Sequence, residues 1–407
     1  MSEDAHALLS ASGSHRWATC AASLRLEAPL PRTSSKYAAE GTCAHTLGSW
    51  ALENGKDCQD YPEPTISADG FTFPVNSEMI KATQVYVDHV RERAKGASLL
   101  VEQKVNYSSW LGIDAKLGWG TSDAVVLFDE VLEIWDLKYG MGVKVDAESN
   151  EQLMLYALGC LYEYEHLGEF RSVVVGIVQP RLDHISEHSI PVTDLKEFAL
   201  RMSAAARKAL RIKGAPSEPV LADFMPSDGA CRFCGVKATC PALAADVEHE
   251  TRDLFAALVE NGASAMAAAV PEDRLAQAMS KVDLIEGFCK AIRAETERRL
   301  LAGQSVEGYK LVEGRRGPRS WTDEAAAEKL LESMRLKVEE RYDFKVKSPT
   351  SIEKILKDNP RKWTKVHALI TQTDGKPSVA PVSDKRPAMK VNGADALAAL
   401  SSAEDLV

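Results

Sequence analysis

Residues Gly118–Tyr156 read GWGTSDAVVLFDEVLEIWDLKYGMGVKVDAESNEQLMLY, and the fold turns on how this stretch is read. Two apolar, β-branched runs, Asp123–Phe128 and Val131–Leu137, flank the polar pair Asp129-Glu130, a pattern that predicts two strands joined by a turn. Asp123 opens the first run, Asp136 interrupts the end of the second, and Lys138 follows two residues later. Side chains two apart on a strand share a face, so Asp136 and Lys138 point the same way. Two carboxylates and a lysine on adjacent strands suit a divalent cation and an activated water. The bland alternative, a surface ion pair between Asp136 and Lys138, leaves unexplained why so apolar a strand carries Asp beside a glycine-rich loop.

The flanking elements extend this pattern. Upstream, Leu99–Val105 is a strand with Glu102 in its middle; downstream, Asn150–Tyr164 is a helix with Gln152 and Tyr156 on one face. Ser172–Val178 (SVVVGIV) is apolar enough for a strand inside a sheet. Gly41–Gly55 reads as a helix with His45 near its start and Leu47, Trp50 and Ala51 on an apolar face. A loop rich in Pro and Asp runs to about Asn76, and Ser77–Ala94 is an amphipathic helix turning Met79, Ile80, Val85, Val87 and Val90 to a core. Three early strands joined by tight turns, and a fourth after a helix, give an α/β fold with a mixed sheet flanked by helices. Thr193–Ile212 and most of the alanine-rich span Ala242–Leu301 are helical, with a break near Pro271. From Gly308 a short hairpin leads into helices at Thr322–Leu336 and Ser351–Lys357, followed by a Pro/Gly-punctuated extended segment. The expected organisation is a core over 1–240, a helical extension over 241–305, a basic accessory domain over 306–392 and a flexible tail over 393–407.

The chain has 407 residues, 45% apolar and 27% charged, ordinary for a globular protein. The start MSEDAHALLS has neither a basic n-region nor a long apolar segment, and no apolar run spans a bilayer, so a cytoplasmic location without membrane contact is expected. The net charge of −10 excludes a broadly basic surface but not a local phosphate site. Charge is uneven, with about +6 over 301–390, where Arg315, Arg316, Arg319, Arg361, Lys362 and Lys365 lie; this reads as a solvated or a phosphate-contacting surface. No G-x4-G-K-[ST] sequence is present, which excludes an ATP-driven helicase of that type.

In order, the chain holds GTCAH at His45, TSD at Asp123, DLK at Asp136 to Lys138 and QLMLY at Gln152 to Tyr156. This series resembles the RecB-like branch of the PD-(D/E)XK nuclease superfamily, whose core is a restriction-endonuclease-like mixed sheet flanked by helices. The resemblance implies Mg²⁺ or Mn²⁺ held by Asp123, Asp136, the Leu137 carbonyl and His45. It gives Lys138 the attacking water and the transition-state charge, and sets Gln152 and Tyr156 to shape the site and touch the DNA backbone. Glu102 could bind the cation directly, through water, or only form an ion pair.

Eight cysteines in a cytoplasmic chain do not indicate disulfides. Cys231, Cys234 and Cys240 form C-x2-C-x5-C, one ligand short of a closed site. A zinc site would draw its fourth ligand from nearby, with His249 the next candidate. One cysteine upstream of the core, Cys20, and three downstream instead resemble the iron-staple nucleases: the AddB type, the CRISPR adaptation nucleases and the eukaryotic flap-processing helicase–nucleases. That resemblance implies a structural [4Fe–4S] cluster on Cys20, Cys231, Cys234 and Cys240, with zinc as the alternative.

SASGSHRWATCAASLRLE near the start, the GWGTSD and DLKYG core, and GYKLVEGRRGPRSWTDE with SVAPVSDKRPA near the end are also similar to an uncharacterised phage and prophage family. The similarity covers nearly the whole chain. It implies work on DNA in phage replication or recombination, in the host cytoplasm, with a single-strand-binding or annealing protein and a DNA polymerase as partners. The expected activity is a metal-dependent DNA exonuclease; the alternatives are a structure-specific endonuclease or nickase, and a non-catalytic DNA-binding replisome component.

Overall fold

The computed structural model describes residues 7–30, 35–61, 65–260, 272–310 and 360–367. Contacts divide the chain into two units, Met1–Val312 and Glu313–Val407. In the first, the elements run α1 (Ser14–Trp17), α2 (Ser23–Leu26), α3 (Lys36–Asn54), β1 (Thr65–Ala68), β2 (Phe71–Pro74), α4 (Ser77–Arg93), β3 (Ser98–Asn106) and α5 (Ser108–Leu111). They continue with β4 (Trp119–Leu127), β5 (Val131–Leu137), α6 (Glu151–Tyr164), β6 (Ser172–Gln179), β7 (His184–Pro191), α7 (Val192–Gly214), α8 (Asp228–Arg232), α9 (Pro241–Glu260) and α10 (Glu272–Leu301). In the second unit one helix is described, α11 (Pro360–His367). The expected helices at Thr322–Leu336 and Ser351–Lys357 and the tail lie outside the described residues.

The fold is mixed α/β. Its five-stranded sheet has the order β3-β4-β5-β6-β7, with β5 and β6 parallel and the other pairs antiparallel. A parallel pair needs a crossover, and α6 supplies it. Residues Leu132–Leu137 of β5 are buried without alternation, because helices cover both faces of the sheet. One core gathers Val125, Ile134 and Val175 with Leu155 and Leu158 of α6 and Phe198 of α7. The other gathers Ala124, Val126 and Trp135 with Leu47 of α3 and Val87 of α4. Trp135 needs Gly176 beside it on β6: a Cβ there would lie 2.2 Å from the indole, so Gly176→Ala forces the two strands apart.

Caps fix the helices that carry the site. Ser35 accepts from the Ala38 N–H to start α3, and Gly55, at φ 64°, ends it. The Asn150 side chain accepts from the Leu153 N–H and starts α6, as Asn76 does for α4.

Several expectations change. β4 begins at Trp119 rather than Asp123, because the glycine-punctuated GWGTS segment pairs with the end of β3, Asn106 against Trp119. The β3–β4 link is not a tight turn but contains α5. β7 and the β1–β2 hairpin, which has Asp69 and Gly70 at its turn with positive φ, are additional strands. On α4, Val85 is exposed and its neighbour Tyr86 is buried instead.

Candidate metal centre

The middles of β3 and β4 and the end of β5 bring the predicted residues together beneath α3. His45, half-buried on α3, places Nδ1 3.1 Å from Asp123 Oδ2, and the Leu137 N–H donates to the same oxygen at 2.8 Å. Glu102, on β3 directly across from Asp123, completes a set in which His45, Glu102 and Asp123 each offer a ligand atom within 4.8 Å of the others. Asp136 belongs to a second, adjoining chain of contacts. Lys138 Nζ lies 2.9 Å from Asp136 Oδ2 and donates to Gln152 Oε1 at 3.1 Å. Gln152 Nε2 reaches Asp136 Oδ1 at 3.3 Å and the Tyr156 hydroxyl at 3.2 Å. Asp136 is 2% exposed, which rules out a surface ion pair with Lys138. Gly120 on β4 leaves room for Tyr156, since a Cβ there would stand 2.6 Å from the ring.

Charge and burial set the protonation of this group. Burial opposes the charge on His45, but the charge and hydrogen bond of Asp123, with Asp136 behind it, raise its pKa to about 9. Glu102 is raised to about 7, first by burial and then by repulsion from Asp123. Burial also opposes ionisation of Asp123, yet His45 and the Leu137 N–H hold it below its ordinary value. Asp136 is raised, by burial foremost and by Asp123, while Lys138 pulls the other way. Lys138 stays charged against burial because Asp136 faces it.

Two features of the centre have no counterpart in the sequence pattern. Glu102 sits at φ 50°, the left-handed region that a non-glycine residue rarely adopts. Its pairing with Asp123 is missing from an otherwise continuous β3–β4 register. Tyr86 of α4 packs its ring against Gly48, three residues past His45, with 3.4 Å from a would-be Cβ to Cδ1. Its hydroxyl is buried with no hydrogen-bond partner among the described residues, and is pushed well above its ordinary pKa by burial and by the charges of Asp123, Asp136 and Glu102. The helical periodicity of Ser77–Arg93 could have placed Tyr86 inward; its more apolar neighbour Val85 carries the stronger signal.

The four cysteines also converge. Cys20, Cys231, Cys234 and Cys240 line one cavity with Phe224 and Leu243, and all four are free thiols. Burial raises Cys231 and pushes Cys234 to about 12. Contacts tie the N-terminal segment to the one after α7. Arg16 donates to the Phe233 carbonyl at 3.2 Å and pairs with Glu27 at 2.7 Å, and Glu27 accepts from the Gly235 N–H at 2.8 Å. Arg25 donates to the Ala215 carbonyl at 2.7 Å and the Ser217 carbonyl at 2.6 Å. His249 is not among the residues lining this cavity.

Fold and site together define a mixed α/β protein with a carboxylate–histidine centre under its first long helix. The chain belongs to the family described as protein of unknown function (DUF2800), whose model matches residues 6–387. A solved structure described as "Crystal structure of SSO0001" is similar over 41% of this chain and 72% of its own, at 15% identity and a TM-score of 0.23. No helix among the described residues is long and apolar enough to cross a membrane.

Proposed function

We propose that this chain is a divalent-metal-dependent deoxyribonuclease with a RecB-like PD-(D/E)XK core, acting as an exonuclease on DNA ends in phage replication or recombination. The supporting observation is the meeting of His45, Glu102 and Asp123 within 4.8 Å, beside the linked series Asp136, Lys138, Gln152 and Tyr156. The donor set fits Mg²⁺ or Mn²⁺: hard carboxylate oxygens dominate, and the single imidazole favours Mn²⁺. The buried, protonated Tyr86 hydroxyl beneath these charges is a donor for water held there. His45, Glu102, Asp123, Asp136 and the Leu137 carbonyl are the groups to hold the cation, which when bound polarises the phosphate and lowers the pKa of water.

The chain's own groups do the rest. Lys138, kept charged by Asp136, orients the attacking water and offsets negative charge as the phosphorus becomes pentacoordinate. Gln152 bonds both the Lys138 ammonium and the Asp136 carboxylate, and the Tyr156 hydroxyl bonds Gln152. The cysteine cavity suits a structural [4Fe–4S] cluster, with zinc as the alternative, closing the chain from Cys20 to Cys240 around the core.

The test offers the full chain and Mn²⁺ a labelled linear duplex, a closed circle and a flap. Shortening from ends alone is expected; nicking of the circle makes it an endonuclease, and binding without cleavage removes the catalytic reading. Asp136→Ala or Lys138→Ala should abolish cleavage with the fold intact, and wild-type cleavage by either purified variant contradicts the assignment.

A further inference from the structure

β3 and β4 hold one register from Ser98 opposite Leu127 to Asn106 opposite Trp119, yet the ribbon changes face part-way. On one side of the Glu102–Asp123 step, Val101 and Ala124 pack toward α3 and α4. On the other, Val105 lies against Gly159 of α6, Gln103 accepts from the Tyr164 hydroxyl, and Gly120 sits under Tyr156. Regular alternation would have sent Gln103 and Val105 the same way as Val101. The left-handed backbone at Glu102 is where the alternation breaks. Beyond the break, Lys104 and Thr121, then Asn106 and Trp119, therefore point to the side of the sheet that carries His45.

Among the described residues no helix covers that part of the ribbon: Lys104 is exposed, and Thr121 and Trp119 are partly so. Lys104 Nζ lies 4.1 Å from the centroid of the Trp119 ring. At about 3.3 Å per strand residue, Lys104 is roughly 7 Å from Glu102 and Trp119 roughly 13 Å from Asp123, a nucleotide or two from the carboxylates. In a chain of net charge −10, a lysine and an indole aligned on the acidic centre form a local exception.

We propose that this ribbon is the track by which a single strand of DNA enters the centre, with a base stacked on Trp119 and a backbone phosphate on Lys104. The proposal rests on the nuclease reading and narrows what enters the centre to an unpaired strand, whether free or frayed from a duplex end. A base inside a duplex keeps both faces in its stack, so an indole takes only an unpaired one, and its stacking tolerates any sequence. The Lys104 ammonium, now over the indole, swings off that face as a base stacks there and takes the phosphate instead.

The experiment measures anisotropy of a labelled oligothymidylate and of a blunt duplex with the full chain in EDTA, and cleavage of both with Mn²⁺. Trp119→Ala should weaken oligothymidylate binding about 10-fold or more, Trp119→Phe should restore most of it, and duplex binding should not change. Lys104→Gln, at an exposed position, should weaken binding several-fold and reduce the salt slope by about 0.7. If the wild-type chain cleaves DNA but Lys104→Gln and Trp119→Ala bind oligothymidylate as it does, this track is wrong and the nuclease reading stands. If the wild-type chain neither binds nor cleaves either DNA, both fall.

Discussion

The two chemistry-bearing regions are built in opposite ways. At the carboxylate centre the side chains hold one another: His45 and the Leu137 N–H share one oxygen of Asp123, and Gln152 reaches Lys138, Asp136 and Tyr156. Around the cysteines the thiols are brought together from outside, by Arg16, Glu27 and Arg25 bonding to carbonyls and an N–H of the segment after α7. The first region is organised by charge and the second by backbone. The cavity joins residues more than 200 positions apart, so an occupant bonded to all four sulfurs acts as a long-range cross-link.

That contrast breaks most visibly under Cys231→Ser. The proposed cluster would give the anaerobically purified chain a brown colour and broad visible absorbance; the variant should lose both and unfold with a loss on the order of 3–5 kcal/mol in denaturant titration. Asp136→Ala should leave the colour in place. A colourless wild-type chain, prepared anaerobically, removes the cluster and leaves zinc as the occupant to assay.

A smaller effect sharpens the other half of the comparison. Glu102 occupies the left-handed region at φ 50°, a conformation glycine adopts without strain. Glu102→Gly should therefore stabilise the metal-free chain, by roughly 1 kcal/mol or less, while weakening its grip on Mn²⁺. A destabilised variant in the same denaturant titration would mean that the strain is not where the backbone puts it.

Much of the fold and centre is legible in the sequence because each signal is local. The apolar runs mark β5 and β6, Asn76 and Asn150 mark helix starts, and the order of His45, Asp123, Asp136, Lys138, Gln152 and Tyr156 outlines the centre along the linear chain. β7 stays hidden because HISEHSIP, at the sheet edge, shows water alternate residues and buries only Ile190. The β1–β2 hairpin is signalled by Asp69-Gly70, a turn pair suited to positive φ, but its strands are only four residues long. Glu102 is the least readable. Its sequence position says strand, and only the tertiary pairing reveals the backbone break that turns it to Asp123 and re-aims Lys104.

The central claim is a divalent cation bound by His45, Glu102 and Asp123, and calorimetric titration of Mn²⁺ into the full chain measures it directly. A bound cation must displace the proton that His45 keeps up to about pH 9 and the one Glu102 keeps up to about 7. Saturable binding that tightens as pH rises from about 6 to about 8, and that Asp123→Asn removes, is the expected result. The same affinity in wild type and Asp123→Asn, or no saturable binding at either pH, would contradict it.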